Sequence, residues 1–151
     1  MSNHNLDPLA QIRRSANLHY LTVKPEGFVL EAHGPIVLAL QAEILGHGGA
    51  RTLYRARRPH CRSLNGVNAI QDAELFCGDC YQRQHCTPQV RIDLLIQRKS
   101  YVLLLSHTSA RRFLTYVDEL KSKGREPEDV TVNLHVINRG KWGEVDFSSA
   151  D

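Results

Sequence analysis

All four cysteines of this chain fall in one 26-residue window, Cys61, Cys77, Cys80 and Cys86, spaced Cys-x15-Cys-x2-Cys-x5-Cys. The Cys77-Gly-Asp-Cys80 step is a tight knuckle that lets two thiolates converge on one ion. Two more thiolates arriving from nearby complete the tetrahedral shell of structural zinc. His60 and His85 adjoin two of the cysteines and stand second as donors, because four sulfurs already close the shell. A closed shell leaves no position for substrate, so the expected Zn2+ holds a loop and does not catalyse. The His-x-Glu step that precedes the cysteine pair of zinc deaminases is absent. No phosphate loop, nucleophile elbow or dinucleotide fingerprint is present either, so the chain reads as a non-enzyme.

At 151 residues the chain is one domain, long enough to bury a core without metal or disulfide help. The longest apolar run, Pro35 to Leu40, is far too short to span a bilayer, so no membrane partner is expected. The first residues have neither a charged leader nor an apolar stretch. A cytoplasmic setting follows as an expectation, and there zinc is favoured over disulfides.

Charge is distributed unevenly. From Arg51 to Arg112 there are 11 basic residues against 4 acidic ones; from Glu126 to Asp151 there are 6 acids against Arg139 and Lys141. Fourteen of the 19 basic residues are arginine, the side chain suited to phosphate forks and base stacking. A basic middle points to a polyanion partner. Arg51, Arg55, Arg57, Arg58 and Arg62 crowd the approach to Cys61. If residues 51–57 are a strand, Arg51, Arg55 and Arg57 share one face and Tyr54 takes the other. Arg91, Arg98 and Lys99 would assist in holding phosphates, and Tyr54, Tyr81 and Trp142 are the candidates for stacking on unpaired bases. Trp142 is expected to share a strand face with Glu144 and Asp146.

Residues 1–16 lack periodicity and read as a flexible arm, with a single domain over 17–151. Extended segments are expected near 18–23, 28–32, 36–45 and 51–57, with Gly46-His-Gly-Gly49 as a turn. A cysteine insertion at about 59–88 follows. Val90, Ile92, Leu94 and Ile96 alternate with polar neighbours, predicting a half-buried strand that Tyr101–Leu105 extends or pairs. Ala110, Phe113, Leu114, Val117 and Leu120 fall at helical spacing, with Thr108 or Ser109 as cap and Gly124 at the end. Arg111 and Arg112 in the first turn oppose the helix dipole, so each requires an anion or a carboxylate from elsewhere in the fold. Val130–Val136 and Trp142–Phe147 close as a hairpin. Strands, insertion, strands, one helix and a hairpin match a mainly β fold, an OB-like barrel with its helix between the third and fourth strands, a plain α+β sandwich being the competing architecture. The insertion then falls between the second and third.

The string Cys61-Arg-Ser-Leu-Asn-Gly66, with Cys77-x2-Cys80 and Cys86 downstream, resembles small zinc-bearing, OB-like single-stranded-DNA-binding proteins of phages and mobile elements. Asn65 stands where an acid is commoner. The resemblance implies a zinc loop, a single-stranded DNA partner (RNA being the alternative strand), and a role in replication, recombination or repair. The ending Asp146 to Asp151 is similar to the acidic tails that recruit replication or recombination proteins. Oligomeric state is left open. The competing expectation is an adaptor whose zinc loop and basic face grip a protein partner.

Overall fold

The computed structural model describes residues 18–56, 58–64 and 85–150. Among these residues, two antiparallel sheets, one long helix and a 3-10 turn at Pro127–Asp129 make up the regular structure. The smaller sheet joins β1 (Thr22–Lys24), β2 (Gly27–Val29) and β3 (Ile36–Val37) in that order. The larger contains β4 (Ala39–Arg55), β5 (Arg58–Ser63), β6 (Thr87–Ile96), β7 (Lys99–Leu105), β8 (Thr131–Asn138) and β9 (Gly143–Ser149). Its order is β7-β6-β4-β8-β9, with β5 also paired to β4. Helix α1 (His107–Ser122) connects β7 to β8.

β4 organises the whole. Its first five residues pair with β8, its middle pairs with β6, and its last five pair with β5. The expected turn at Gly46–Gly49 is instead continuous strand, which overturns the division into two extended segments. A bulge between Ile44 and Gly46 bends the strand here. Leu45 is the residue the bulge extrudes, so it is exposed while Ile44 is buried. Because β4 is one strand, segment 65–84 joins β5 to β6, the two strands flanking the end of β4. The expected position between a second and third strand is corrected accordingly.

The β6 alternation holds. Ile92, Leu94 and Ile96 are buried with Leu103 and Tyr101 beside them on β7. Gln97 and Arg98 both take positive φ, 49° and 69°, making the tight two-residue turn whose twist suits a hairpin. The helix lays Phe113, Tyr116, Val117 and Leu120 into the core. Phe113 packs edge-on against Phe147 at 5.2 Å and His47 at 5.3 Å between centroids. Leu114, expected in the stripe, is exposed and Tyr116 takes its place. The cap also differs: Ser106 occupies the N-cap without a side-chain cap bond. Ser109 Oγ instead accepts the Val145 amide at 3.0 Å, and Thr108 bonds Glu144, so both serve tertiary contacts. The C-terminus ends as expected, with Gly124 at φ 71° and the Arg125 amide reaching back to the Leu120 carbonyl.

Among the described residues the outer strands β7 and β9 do not pair with each other. The chain at 19–24 lies between them. Residues 19–21 pair in parallel with β7 at Val102, and the Lys24 carbonyl abuts Gly143 at the start of β9. No helix among the described residues is long and apolar enough to cross a membrane. The predicted arm at 1–16 lies outside the described residues.

Candidate functional site

The end of β4 brings two of the four predicted zinc ligands to one end of the sheet. Cys61 pairs with Leu53, and Thr52 pairs with Thr87. Cys86 immediately precedes Thr87, where that register ends, so the two half-buried cysteines approach the end of β4 from its opposite edges. Segment 65–84 starts and returns here, and Cys77, Cys80 and Tyr81 belong to it, outside the described residues. No cluster of three or more metal-ligating side chains forms among the described residues. Cys61 and Cys86 stand on the two strands that flank β4, at the start and the return of that segment.

A polar and aromatic network covers the neighbouring surface. Thr52 Oγ1 donates to Gln89 Oε1 at 2.6 Å, and Arg62 Nε donates to Thr52 Oγ1 at 3.3 Å. Gln89 Nε2 donates to the Tyr54 hydroxyl at 3.3 Å. The Arg62 guanidinium lies 5.0 Å over the Tyr20 ring. Tyr54 is thus on the Thr52 side of the strand, opposite Arg51 as the alternation predicts, and its ring is 41% exposed. Arg51 has no carboxylate partner among the described residues. Arg55 and Arg58 face each other at the hairpin tip by backbone register. Their side chains, and Arg57 entirely, lie outside the described residues.

Three predicted contacts stand elsewhere. Arg91 is only 6% exposed, with Nε on Asp93 at 2.8 Å and Nη1 on the Leu64 carbonyl at 3.4 Å. The chain leaving β5 covers this outward position of β6, so Arg91 anchors the end of the cysteine segment from inside. A surface phosphate contact is not its placement. Arg98 and Lys99 sit at the far end of β6, about 30 Å from Thr87 at strand rise. Lys99 Nζ is 3.8 Å from Glu31 and 5.7 Å over the Tyr101 ring.

Trp142 lies in the loop before β9, not on the strand, and is 45% exposed. It lines a cavity of ≈ 590 Å³ between the β1–β2 turn, the end of β7 and the start of α1. Leu104 and Leu105 of that cavity pair with Arg91 and Val90, which pair in turn with Gly48 and Gly49. The cavity is therefore two strands, about 10 Å, across the sheet from β4. Lys24, Lys141, Tyr20 and Gln89 escaped the sequence reading. Lys141 beside Trp142 was the one visible signal, a cation adjoining an aromatic in a turn.

Because α1 begins at His107, Arg111 and Arg112 fall in its second turn, not the expected first, and Arg112 finds its anion within the fold. Arg112 Nε donates to Glu144 Oε2, and its Nη1 to Asp146 at 3.1 Å; Arg139 adds a bond to Glu144 at 3.3 Å. Burial alone pushes the Glu144 carboxyl up, but hydrogen bonds from Thr108, Arg139 and Arg112 outweigh it and hold it below its ordinary value. The Glu144 bond, and Asp146 behind it, raise Arg112 against its partial burial. Arg111 lines the same groove.

Neither a protein-family model, nor a curated protein, nor a solved structure matches this chain.

Proposed function

We propose that this protein is a non-enzymatic OB-type binder of single-stranded nucleic acid, DNA in preference to RNA, with a structural zinc site of Cys61, Cys77, Cys80 and Cys86. Its work would lie in replication, recombination or repair in the cytoplasm. The strand order supports the OB assignment. With β4, β6, β7, α1, β8 and β9 as the sequence of elements, the order β7-β6-β4-β8-β9 is that of an OB barrel opened between its third and fifth strands. In that frame the cysteine segment is the loop between the first two barrel strands, and residues 139–142 are the loop between the last two. Those two loops are the ones OB folds use to hold oligonucleotides.

One observation carries the functional reading. The strand register puts Arg51, Tyr54 and Arg62 at the sheet end where Cys61 and Cys86 stand, and Trp142 lines a cavity beyond β6 on the β7 side. A metal there would stiffen the loop and fix the cations and rings as a track. Arginine with interleaved aromatics suits a strand whose phosphates and bases are both exposed. Arg98 and Lys99 lie off this track and would meet a longer strand only.

The test is an oligonucleotide-binding series with metal analysis of the same sample. A thymidine oligonucleotide should bind with an affinity that falls steeply with salt, by about 0.7 in the log–log slope per phosphate contacted. Metal analysis should return one zinc per chain. Affinity flat from low to moderate salt would sink the binding assignment, and absent zinc would sink the metal.

A further inference from the structure

Two concavities flank the start of α1, and their charges differ in kind. The groove of Arg111, Arg112 and Arg139 is answered by Glu119, Glu144 and Asp146 within its own walls. The cavity on the other side has no acidic lining residue among those described. Lys24 and Lys141 stand on it, and neither makes an ion pair among the described residues. Two cations left without a counter-charge on one rim are costly unless solvated or matched by an anion.

The walls explain which anion. Val23, Leu104 and Val145 supply an apolar floor, and Trp142 presents a half-exposed indole. A bare phosphate would gain nothing from that floor. An apolar acid would leave the indole face unused. A flat aromatic ring carrying phosphate on its edge satisfies both: the ring stacks on Trp142 and the charge meets the lysines. The volume, ≈ 590 Å³, is within the roughly 300–1,000 Å³ of sites that hold a group of nucleotide size.

We infer that this cavity takes one unstacked nucleobase of a bound single strand, stacked on Trp142, with the adjoining phosphates on Lys24 and Lys141. This rests on the strand-binding function proposed above and adds to it a discrete base pocket with its own ligands. Lys24 comes from the β1–β2 turn, so the chain that fills the gap between β7 and β9 also contributes to the site.

Trp142 is the sole tryptophan, so its emission reports on this cavity alone. A labelled thymidine oligonucleotide read by anisotropy reports binding anywhere on the protein. Emission should be quenched over the same concentrations at which anisotropy rises. Trp142→Leu should weaken binding roughly 5- to 150-fold, the range for one stacked base, with Trp142→Phe recovering much of it. Lys24→Ala with Lys141→Ala should reduce the salt slope by about 1.4. Circular dichroism of each variant checks that the fold survives. Rising anisotropy with unchanged emission and an unaffected Trp142→Leu would overturn the pocket while leaving strand binding intact. No anisotropy change would overturn both. Uridine oligonucleotides in parallel assign the strand: stronger quenching there keeps the pocket and makes RNA its source.

Discussion

The Lys24 carbonyl rests against Gly143 so closely that no side chain fits between them. A β-carbon at Gly143 would also meet Val136 Cγ1 at 2.7 Å. Both obstacles are strand-held atoms that cannot swing aside. Gly143→Ala is expected to destabilise the fold by about 1–3 kcal/mol, the usual cost of overpacking. Gly49, with open space where its β-carbon would lie, is the control. Gly49→Ala should be neutral or stabilising by up to about 1 kcal/mol. Urea denaturation of both variants decides it; equal effects would remove the close-approach account.

Arginines should sort into two kinds. Arg91 is buried on Asp93 and the Leu64 carbonyl, so Arg91→Ala strands a carboxylate and opens a gap. Stability should fall by about 2–4 kcal/mol. Arg51→Ala should cost under about 0.5 kcal/mol and lower the salt slope of oligonucleotide binding by about 0.7. Parallel denaturation and salt titrations separate them. Reversed roles would mean that the track has been drawn through the wrong residues.

Acid should act through Glu144. Its carboxyl titrates lower in the folded protein than in the unfolded chain, so the stability it contributes is whole above the unfolded value, about 4.3. That contribution drains as pH falls through the folded value. Glu144→Gln should therefore flatten the acid limb of a stability–pH curve below that point. Wild type and variant with parallel acid limbs would show that the Arg112 cluster is not the sensor.

Metal removal should act locally. Cys77→Ser with Cys80→Ser, or a strong chelator, is expected to release one zinc and weaken oligonucleotide binding. The fold built on Ile92, Leu94, Leu103 and Phe113 should keep its far-ultraviolet dichroism, because the core cluster these residues form includes neither Leu64, Cys61 nor Cys86. Full zinc retention in the double serine variant would refute the ligand set.

The sequence was most legible where one physical rule acted alone. Strict alternation on β6, the glycine after α1 and the closing hairpin each follow from a single local preference. Arg112 does meet a carboxylate, Glu144, but not for the reason the sequence offered, since α1 starts at His107 and sets Arg112 past its first turn. The failures come from competition. Gly46-His47-Gly48-Gly49 has turn composition, yet pairing with Asp93 to Val90 of β6 outweighs it. Ser109 has the chemistry of a cap, and the Val145 amide claims its oxygen first. Arg91 has the outward phase of a surface residue, until the chain at Leu64 passes over it.

The piece of chain at 19–24 has a temporal consequence. Its partner on β7, Val102, is made 82 positions after Tyr20, and Gly143 later still. The earliest part of this structure to leave a ribosome is thus among the last that can be seated. Until β7 exists, Tyr20 and Leu21 lack the strand they pair with, and this stretch waits while the sheet assembles. Long-range pairings of this kind slow folding. They also expose a window in which a neighbouring copy's strand, not the chain's own, can fill the gap.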